Sequence, residues 1–420
     1  MKSLKNALKL ITITVLLSCL LIGCRRNSDI EVDNLKSDDI QYINRHYSIT
    51  DEVWVSSLSE GITYTDFIDG SKVFACNKLN CSHKPGTACL AHPDEKGGGF
   101  FEYPFLYNDK LYYFNERYAD ILLISSNPDG SDKEVLAELD FGLQGSYILR
   151  VGSKLYYWGK VEEKKTNQNG FVETLSANCE IYEADLETGA IRQLSSFGTY
   201  YGFNVDELIY SDGYIYFSYL VQQRDWKDTP YTDPEGRLDA VAELSRDEYI
   251  EVLDIKNVFG RIDIKTGQQE LHSSNFLDAV VAVTKERIFV VTENEEELTH
   301  YDKNWQDKTV LYPAEMMEKG TVYVSYMIDN QLIVWIGESH EEIGKYYIWD
   351  DNKNDFRELE YDLDDYFFLF EASSANKLLI GQVPLNEPTT SDEWNYILAD
   401  KESFFKGELV YTEVEGDLYE

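Results

Sequence analysis

The chain has 420 residues, with 38 basic against 76 acidic side chains and a formal net charge of −38. So acidic a surface repels phosphate backbones, which sets nucleic-acid binding aside. Hydrophobic residues make up 43% of the sequence, with 31 Tyr, 20 Phe and 7 Trp among them, enough for a large core rich in aromatic rings.

The N-terminus reads MKSLKNALKLITITVLLSCLLIGC. Lys2, Lys5 and Lys9 make a basic start, and residues 10–22 form an almost unbroken apolar run. That run is short for a membrane span, which takes about 20 apolar residues. Its order, basic then apolar, predicts an export signal over residues 1–23. The run ends in Leu21-Ile22-Gly23-Cys24, which resembles the lipobox of bacterial lipoproteins. The resemblance implies cleavage before Cys24 and a diacylglyceryl group on it; the alternative is an uncleaved anchor helix in which Cys24 is incidental. Two acyl chains hold a protein stably at a bilayer where one does not, so the expected location is the extracytoplasmic face of the cell membrane. Residues 24–46 follow as a polar tether.

From residue 47 onward, short aromatic or aliphatic runs recur after polar turns. They are EVWVSS (52–57), KLYYFN (110–115), KLYYWG (154–159), YIYFSY (214–219), RIFVVT (287–292), QLIVWI (331–336) and KLLIGQ (377–382). Such residues suit strands buried on both faces. Downstream of each run lies a strand–turn–strand segment, such as IYEADLETGAIRQL (181–194) or YYIWDDNKNDFREL (346–359), with Asp, Asn, Gly or Ser at its centre. The pattern predicts an all-β fold: a single β-propeller over residues 47–414, with seven four-stranded blades, six or eight being the alternatives. Only residues 238–253 show helical spacing. Insertions fall around residues 161–173 and 221–256, the second carrying Trp226, Tyr231, Asp228 and Asp233.

Three of the six cysteines and two of the six histidines crowd into FACNKLNCSHKPGTACLAHPD (74–94). Together with the lipobox, the tether and the aromatic strands, this C-x4-C-x-H-x5-C segment resembles the propeller-type lipoproteins of Gram-positive anaerobes, the TolB-like or DUF5050-like group of unknown function. The resemblance implies a propeller on an exported anchor and carries over no catalytic residue. Cys76, Cys81, His83 and Cys89 form a sensible tetrahedral zinc set, in which His92 is an alternative to His83. Outside the membrane, thiols tend to oxidise, so two disulfides that include Cys179 are the competing reading. The anaerobic habitat implied by the resemblance weakens that pressure. Either role is structural; a nucleophilic cysteine needs a nearby base and a lowered pKa.

Motifs for phosphate cradles, zinc proteases and serine hydrolases are missing. His340 lacks the second histidine of H-E-x-x-H. The acidic run at 350–356 has Asp355 where a calcium loop turns on Gly, and reads as a hairpin turn. The expected function is a membrane-tethered module that binds a protein or glycan ligand through the second insertion, with Trp226 and Tyr231 as contact residues. The alternative is an extracytoplasmic enzyme acting on glycan or peptide at the central mouth of the ring.

Overall fold

The computed structural model describes residues 39–414, apart from 58–60, 85–88, 93–98, 118–119, 167–171, 201, 207, 226–227, 229–245, 275–278, 293–296, 313–321, 338–344, 362–365 and 385–394. The chain divides into two units, Met1–Leu35 and Lys36–Glu420, and all described residues belong to the second. Cys24, Trp226 and Tyr231 lie outside the described residues, as does the start of the predicted helix. No helix among the described residues is long and apolar enough to cross a membrane.

Strand β1 (Ile40–Asn44) precedes the blades. The first blade holds β2 (Tyr47–Ile49), β3 (Val53–Ser56), β4 (Thr63–Asp66) and β5 (Lys72–Phe74). The second holds β6 (Gly99–Tyr107), β7 (Lys110–Arg117), β8 (Asp120–Ser126) and β9 (Glu134–Leu139). The third holds β10 (Gly142–Val151), β11 (Lys154–Thr166), β12 (Val172–Asp185) and β13 (Ile191–Tyr200). In the fourth, β14 (Gly202–Val205) and β15 (Ile209–Ser211) both pair with β16 (Tyr214–Gln222); helix α1 (Arg246–Leu253), β17 (Ile255–Asp263) and β18 (Gln269–Ser274) follow. The fifth holds β19 (Ala279–Val283), β20 (Arg287–Thr292), β21 (Glu297–Asp302) and β22 (Thr309–Tyr312). The sixth holds β23 (Val322–Ile328), β24 (Gln331–Gly337), β25 (Lys345–Asp350) and β26 (Asp355–Leu359). The seventh holds β27 (Tyr366–Ser373), β28 (Lys377–Pro384), β29 (Asn395–Asp400), helix α2 (Lys401–Lys406) and β30 (Tyr411–Glu413). These seven antiparallel sheets make a seven-bladed β-propeller.

The seven aromatic runs of the sequence are the second strands, β3, β7, β11, β16, β20, β24 and β28. Each lies between neighbouring blades, so both of its faces are covered and the run is continuously apolar instead of alternating. Trp54, Trp158 and Trp335 are among the largest fully buried side chains. Apolar clusters fill the seams between blades, for example Phe114 and Tyr157 between the second and third, and Trp335, Tyr346 and Phe368 between the sixth and seventh.

A second regularity is polar. The third strand of every blade runs into Asp66, Asn127, Asp185, Asp263, Asp302, Asp350 or Asp400. In the six aspartates the carboxylate accepts a backbone N–H from two or three residues on: Ile68, Glu187, Lys265, Asn304, Asn352 and Ser403 respectively. These Asx turns close the outer hairpins; in the last, Asp400 caps α2, and Gly407 ends it in the left-handed region.

The turns between first and second strands are all two or three residues long. Three of them place both central residues at positive φ: Asn108 and Asp109, Asp212 and Gly213, Asp329 and Asn330. The strand ends that lead into the longer connections, such as those of β5 and β16, lie on the opposite face of the ring.

Residues 40–44, read from sequence as tether, are instead strand β1. It pairs antiparallel with β10, from Ile40 beside Val151 to Asn44 beside Tyr147. Because β10 is the innermost strand of its blade, β1 lies inside the central channel, where it also packs against β2, β6 and β27. Gly152 donates its backbone N–H to Asp39 O at 2.7 Å, which puts the start of β1 at the face of tight turns. The chain enters there, crosses the ring along its axis and turns into β2 at the other face. The insertion at residues 161–173 is a lengthening of the β11–β12 hairpin, paired out to Thr166 and Val172.

Candidate metal centre and axial chamber

The cysteine loop leaves β5, the outer strand of the first blade, and is clamped against the second. Ala75 donates its N–H to Ile62 O (3.0 Å) and Ile62 donates to Ala91 O (2.9 Å). Lys133 donates to Leu90 O (2.6 Å) and Asn77 to Asp129 (2.7 Å), both across the seam. Two glycines make these approaches possible. A Cβ on Gly61 (φ +103°) would stand 2.5 Å from Ala91 O, and one on Gly130 (φ +73°) 2.2 Å from Ala75 O. Asn80 and His83 also sit at positive φ, at 58° and 49°.

This path brings together the four sequence-predicted ligands. One donor atom each from Cys76, Cys81, His83 and Cys89 lies within 4.8 Å of the others. A tetrahedron of sulfur and nitrogen at the usual zinc bond lengths has edges of roughly 3.5–3.8 Å, so the loop needs only a small contraction around an ion. His83 Nδ1 is 3.4 Å from Cys89 Sγ, which makes Nδ1 the nitrogen that faces the centre. Phe74 stacks flat on the imidazole, 4.6 Å between centroids and 6° between planes, and fixes its orientation. His92, the alternative ligand, is buried and donates its Nε2–H to His83 O at 3.0 Å, so it braces the loop.

Burial works against the charged form of both Cys76 and Cys89. At Cys76 the backbone N–H groups of Leu90 and Lys78 overcome it and hold the thiol below its ordinary value. At Cys89 burial, together with the neighbouring cysteines, pushes the thiol up to about 12. A zinc ion takes such cysteines as thiolates, so its binding would displace their protons. With four protein donors and no place kept for substrate, the set fits a closed, structural zinc site.

All four described cysteines are free. Cys179 lies on β12 in the third blade, fully buried, where burial raises its thiol far above the ordinary range. The two-bridge scheme needs Cys179 to join a cluster at the seam of the first and second blades, and the fold puts it in a different sheet.

A second feature, which the sequence did not reveal, is a chamber of about 520 Å³ on the ring axis beside β1. The inner strands slip register at mid-channel: between Gln144 and Leu149, between Val280 and Ala282, and between Phe370 and Ala372. In the fourth blade the inner strand breaks outright, between β14 and β15. Such bulges re-aim side chains, and the irregular residues Tyr147, Asp206, Val281 and Glu371 all line the chamber. Tyr42 of β1 closes one side.

Asp206 is held from two blades. Trp158 Nε1 donates to its carbonyl (2.9 Å), and the Ser218 hydroxyl donates to its carboxylate (2.6 Å). The carboxylate is open to the chamber yet ringed by protein, and burial raises its pKa despite the Ser218 bond. Glu371, from the seventh blade, accepts the Tyr47 hydroxyl at 2.7 Å.

No protein-family model matches the sequence, and no curated protein is significantly similar to it. Among solved structures, the propeller is similar to an acylaminoacyl peptidase in complex with Z-Gly-Gly-Phe-chloromethyl ketone, with 11% identity, a TM-score of 0.43 and coverage of 76% of this chain. The chain spans only 46% of that peptidase. An oligogalacturonate lyase in complex with manganese has 11% identity and a TM-score of 0.43, with 88% of this chain and 92% of the lyase covered. The uncharacterised protein lmo1340 from Listeria monocytogenes also has 11% identity and a TM-score of 0.43, with 74% and 80% covered. Likenesses of this size say nothing of what the present chain does.

Proposed function

We propose that the protein is a lipid-anchored, extracytoplasmic propeller that binds a ligand, with a structural zinc ion at Cys76, Cys81, His83 and Cys89. The observation that carries the binding reading is the axial chamber: a preformed cavity of ligand size, lined by Asp206 and Glu371 from two different blades. The zinc reading is supported by the donor set and by its closed geometry. It joins the first blade, whose strands are only three or four residues long, to the second.

The anchor reading is supported by the basic-apolar-LIGC N-terminus. Replacing Cys24 with Ala leaves uncleaved precursor and abolishes lipid labelling; normal processing of that variant excludes the lipoprotein. For the ring itself, the decisive assay follows cell-wall glycan oligomers and peptides for both retention and turnover. Retention without turnover supports a binding module. Turnover that disappears in the Asp206→Asn/Glu371→Gln double variant replaces it with the enzyme reading.

A further inference from the structure

We infer that Cys76 and Cys81 form a thiol–disulfide switch: a low-molecular-weight disulfide converts them from zinc ligands into a bridge, and the ion is released. This deepens the zinc reading and rests on it.

Three observations lead there. The first is number. The loop gathers three sulfurs whose Sγ atoms lie within 4.8 Å of one another, and a bridge consumes two. The fourth described cysteine, Cys179, is fully buried in a different sheet, so it supplies no second pair. Oxidation of the site therefore stops at one bridge and leaves one thiol and one imidazole, too few donors for a closed zinc site. Zinc and disulfide, rival readings of the sequence, become alternative states of one loop.

The second is access. Cys76 and Cys81 are half-buried, within reach of a small solute, whereas Cys89 is only 6% exposed. Thiol–disulfide exchange needs a sulfur of the reagent to meet the attacking sulfur, so access selects the pair that reacts.

The third is which side of the cluster can move. Cys89 is built into the wall. Its carbonyl accepts the His92 N–H (3.4 Å), and the next two carbonyls accept Lys133 Nζ (2.6 Å) and the Ile62 N–H (2.9 Å). Cys76 and Cys81 instead flank an exposed turn, Asn77 to Asn80, in which Cys81 donates its N–H to Lys78 O (3.2 Å) and Asn80 sits at φ +58°. Bringing their sulfurs to the roughly 2 Å of an S–S bond draws on that turn. A bridge to Cys89 would pull on the seam between the blades.

The exchange balances. One of the two thiolates attacks a sulfur of the reagent and expels the first thiolate; the other attacks the resulting mixed disulfide and expels the second. One S–S bond breaks and one forms, and the two electrons of the oxidation leave with the expelled thiolates. These take protons from water, and Cys89 regains its proton as the ion is released.

The test treats anaerobically purified, zinc-loaded protein with oxidised glutathione in the presence of a chromogenic chelator. Disulfides are then mapped by mass spectrometry after alkylation. One zinc per chain is expected to be released, with one bridge between Cys76 and Cys81 and with Cys89 and Cys179 both alkylated on denaturation. Dithiothreitol with added zinc restores the starting metal content. Cys81→Ser is expected to form no internal bridge under the same treatment. Zinc retained under excess reagent, a bridge that includes Cys89, or a mixed disulfide with glutathione as the end product overturns the inference and leaves the zinc site standing. Reduced protein that takes up no zinc removes the zinc reading, and this inference with it, whichever bridge is mapped.

Discussion

Tyr47, on the inner strand of the first blade, donates its hydroxyl at 2.7 Å to Glu371 on the inner strand of the seventh, 324 residues away in sequence. Apart from β1, each sheet is built from consecutive strands, so among the described residues no strand from one end of the chain completes the blade at the other. The seam between first and last blades is shut by side chains: this bond, the Asp51 carboxylate facing Asn376 and the Ser374 hydroxyl, and a cluster with Trp54, Leu379 and Tyr396. Beside that seam, β1 touches the first, second, third and seventh blades from inside, which makes it a pin for the ring.

Truncating Ile43 tests the pin. The side chain is fully buried on β1 within the core of the second and third blades. Ile43→Ala is expected to cost roughly 2–5 kcal/mol, read from the urea midpoint at unchanged slope. A cost within about 0.5 kcal/mol, the range of ordinary surface changes, would make β1 an accessory.

Metal analysis of anaerobically purified protein is expected to give one zinc per chain. Cys89→Ser removes it, and with it on the order of 4 kcal/mol of stability. Chelation of the unmodified protein reproduces the loss, and restored zinc reverses it. Metal-free protein with unchanged melting behaviour removes the structural role.

The glycines that let the loop approach the blades carry their own prediction. At Gly130 an added Cβ meets backbone, Ala75 O at 2.2 Å, in a conformation that side chains rarely adopt. Gly130→Ala is therefore expected to be destabilising by more than about 1 kcal/mol and to weaken zinc retention in a chelator competition. Gly152, also at positive φ but with open space around it, isolates the conformational cost: Gly152→Ala is expected to be milder and to leave zinc unaffected.

Acid sensitivity follows from the Asx turns. Backbone N–H groups hold Asp302 and Asp400 below the ordinary carboxylate range. At Asp185 and Asp350 burial pushes the other way, but the Lys154 ammonium with the N–H groups of Thr188 and Glu187 prevails at the first, and the N–H groups of Asn352 and Lys353 at the second. A depressed folded-state pKa means that the unfolded chain takes up protons first, so stability is full above the unfolded value of about 4 and falls as the pH drops below it. The melting temperature is expected to decline steeply between pH 5 and pH 2, roughly the interval over which such carboxylates titrate. Asp185→Asn strips the buried Lys154 of its counter-charge and is expected to cost about 3–5 kcal/mol even at pH 7.

Much of the architecture was legible because propeller blades repeat. Trp158 and Phe217 announce second strands by sitting in runs apolar on both faces, and Asp263 or Asp350 announces the hairpin that follows. The cysteine cluster was legible because its ligands are close in sequence. Ile40–Asn44 was not, since a five-residue strand flanked by polar residues has no local partner, and its own partner begins at Tyr147. Nor were Asp206 and Glu371. A single acid in an apolar inner strand looks like a bulge or an edge, and only closure of the ring turns two such positions toward one space. Helix α2 was read as part of a hairpin, although Asp400 and Gly407 stand at its two ends as cap residues.

The route of β1 also decides how the molecule bears load. A pull on the N-terminal segment acts along the ring axis, parallel to the β1–β10 ladder, so the register pairs from Ile40–Val151 to Asn44–Tyr147 are sheared together instead of being unzipped one at a time. The same route sets a heading: the start of β1 opens on the face of tight turns, opposite the face from which the strands lead into the longer connections. Under such a load β1 is held like a shaft gripped from around it by four of the seven blades.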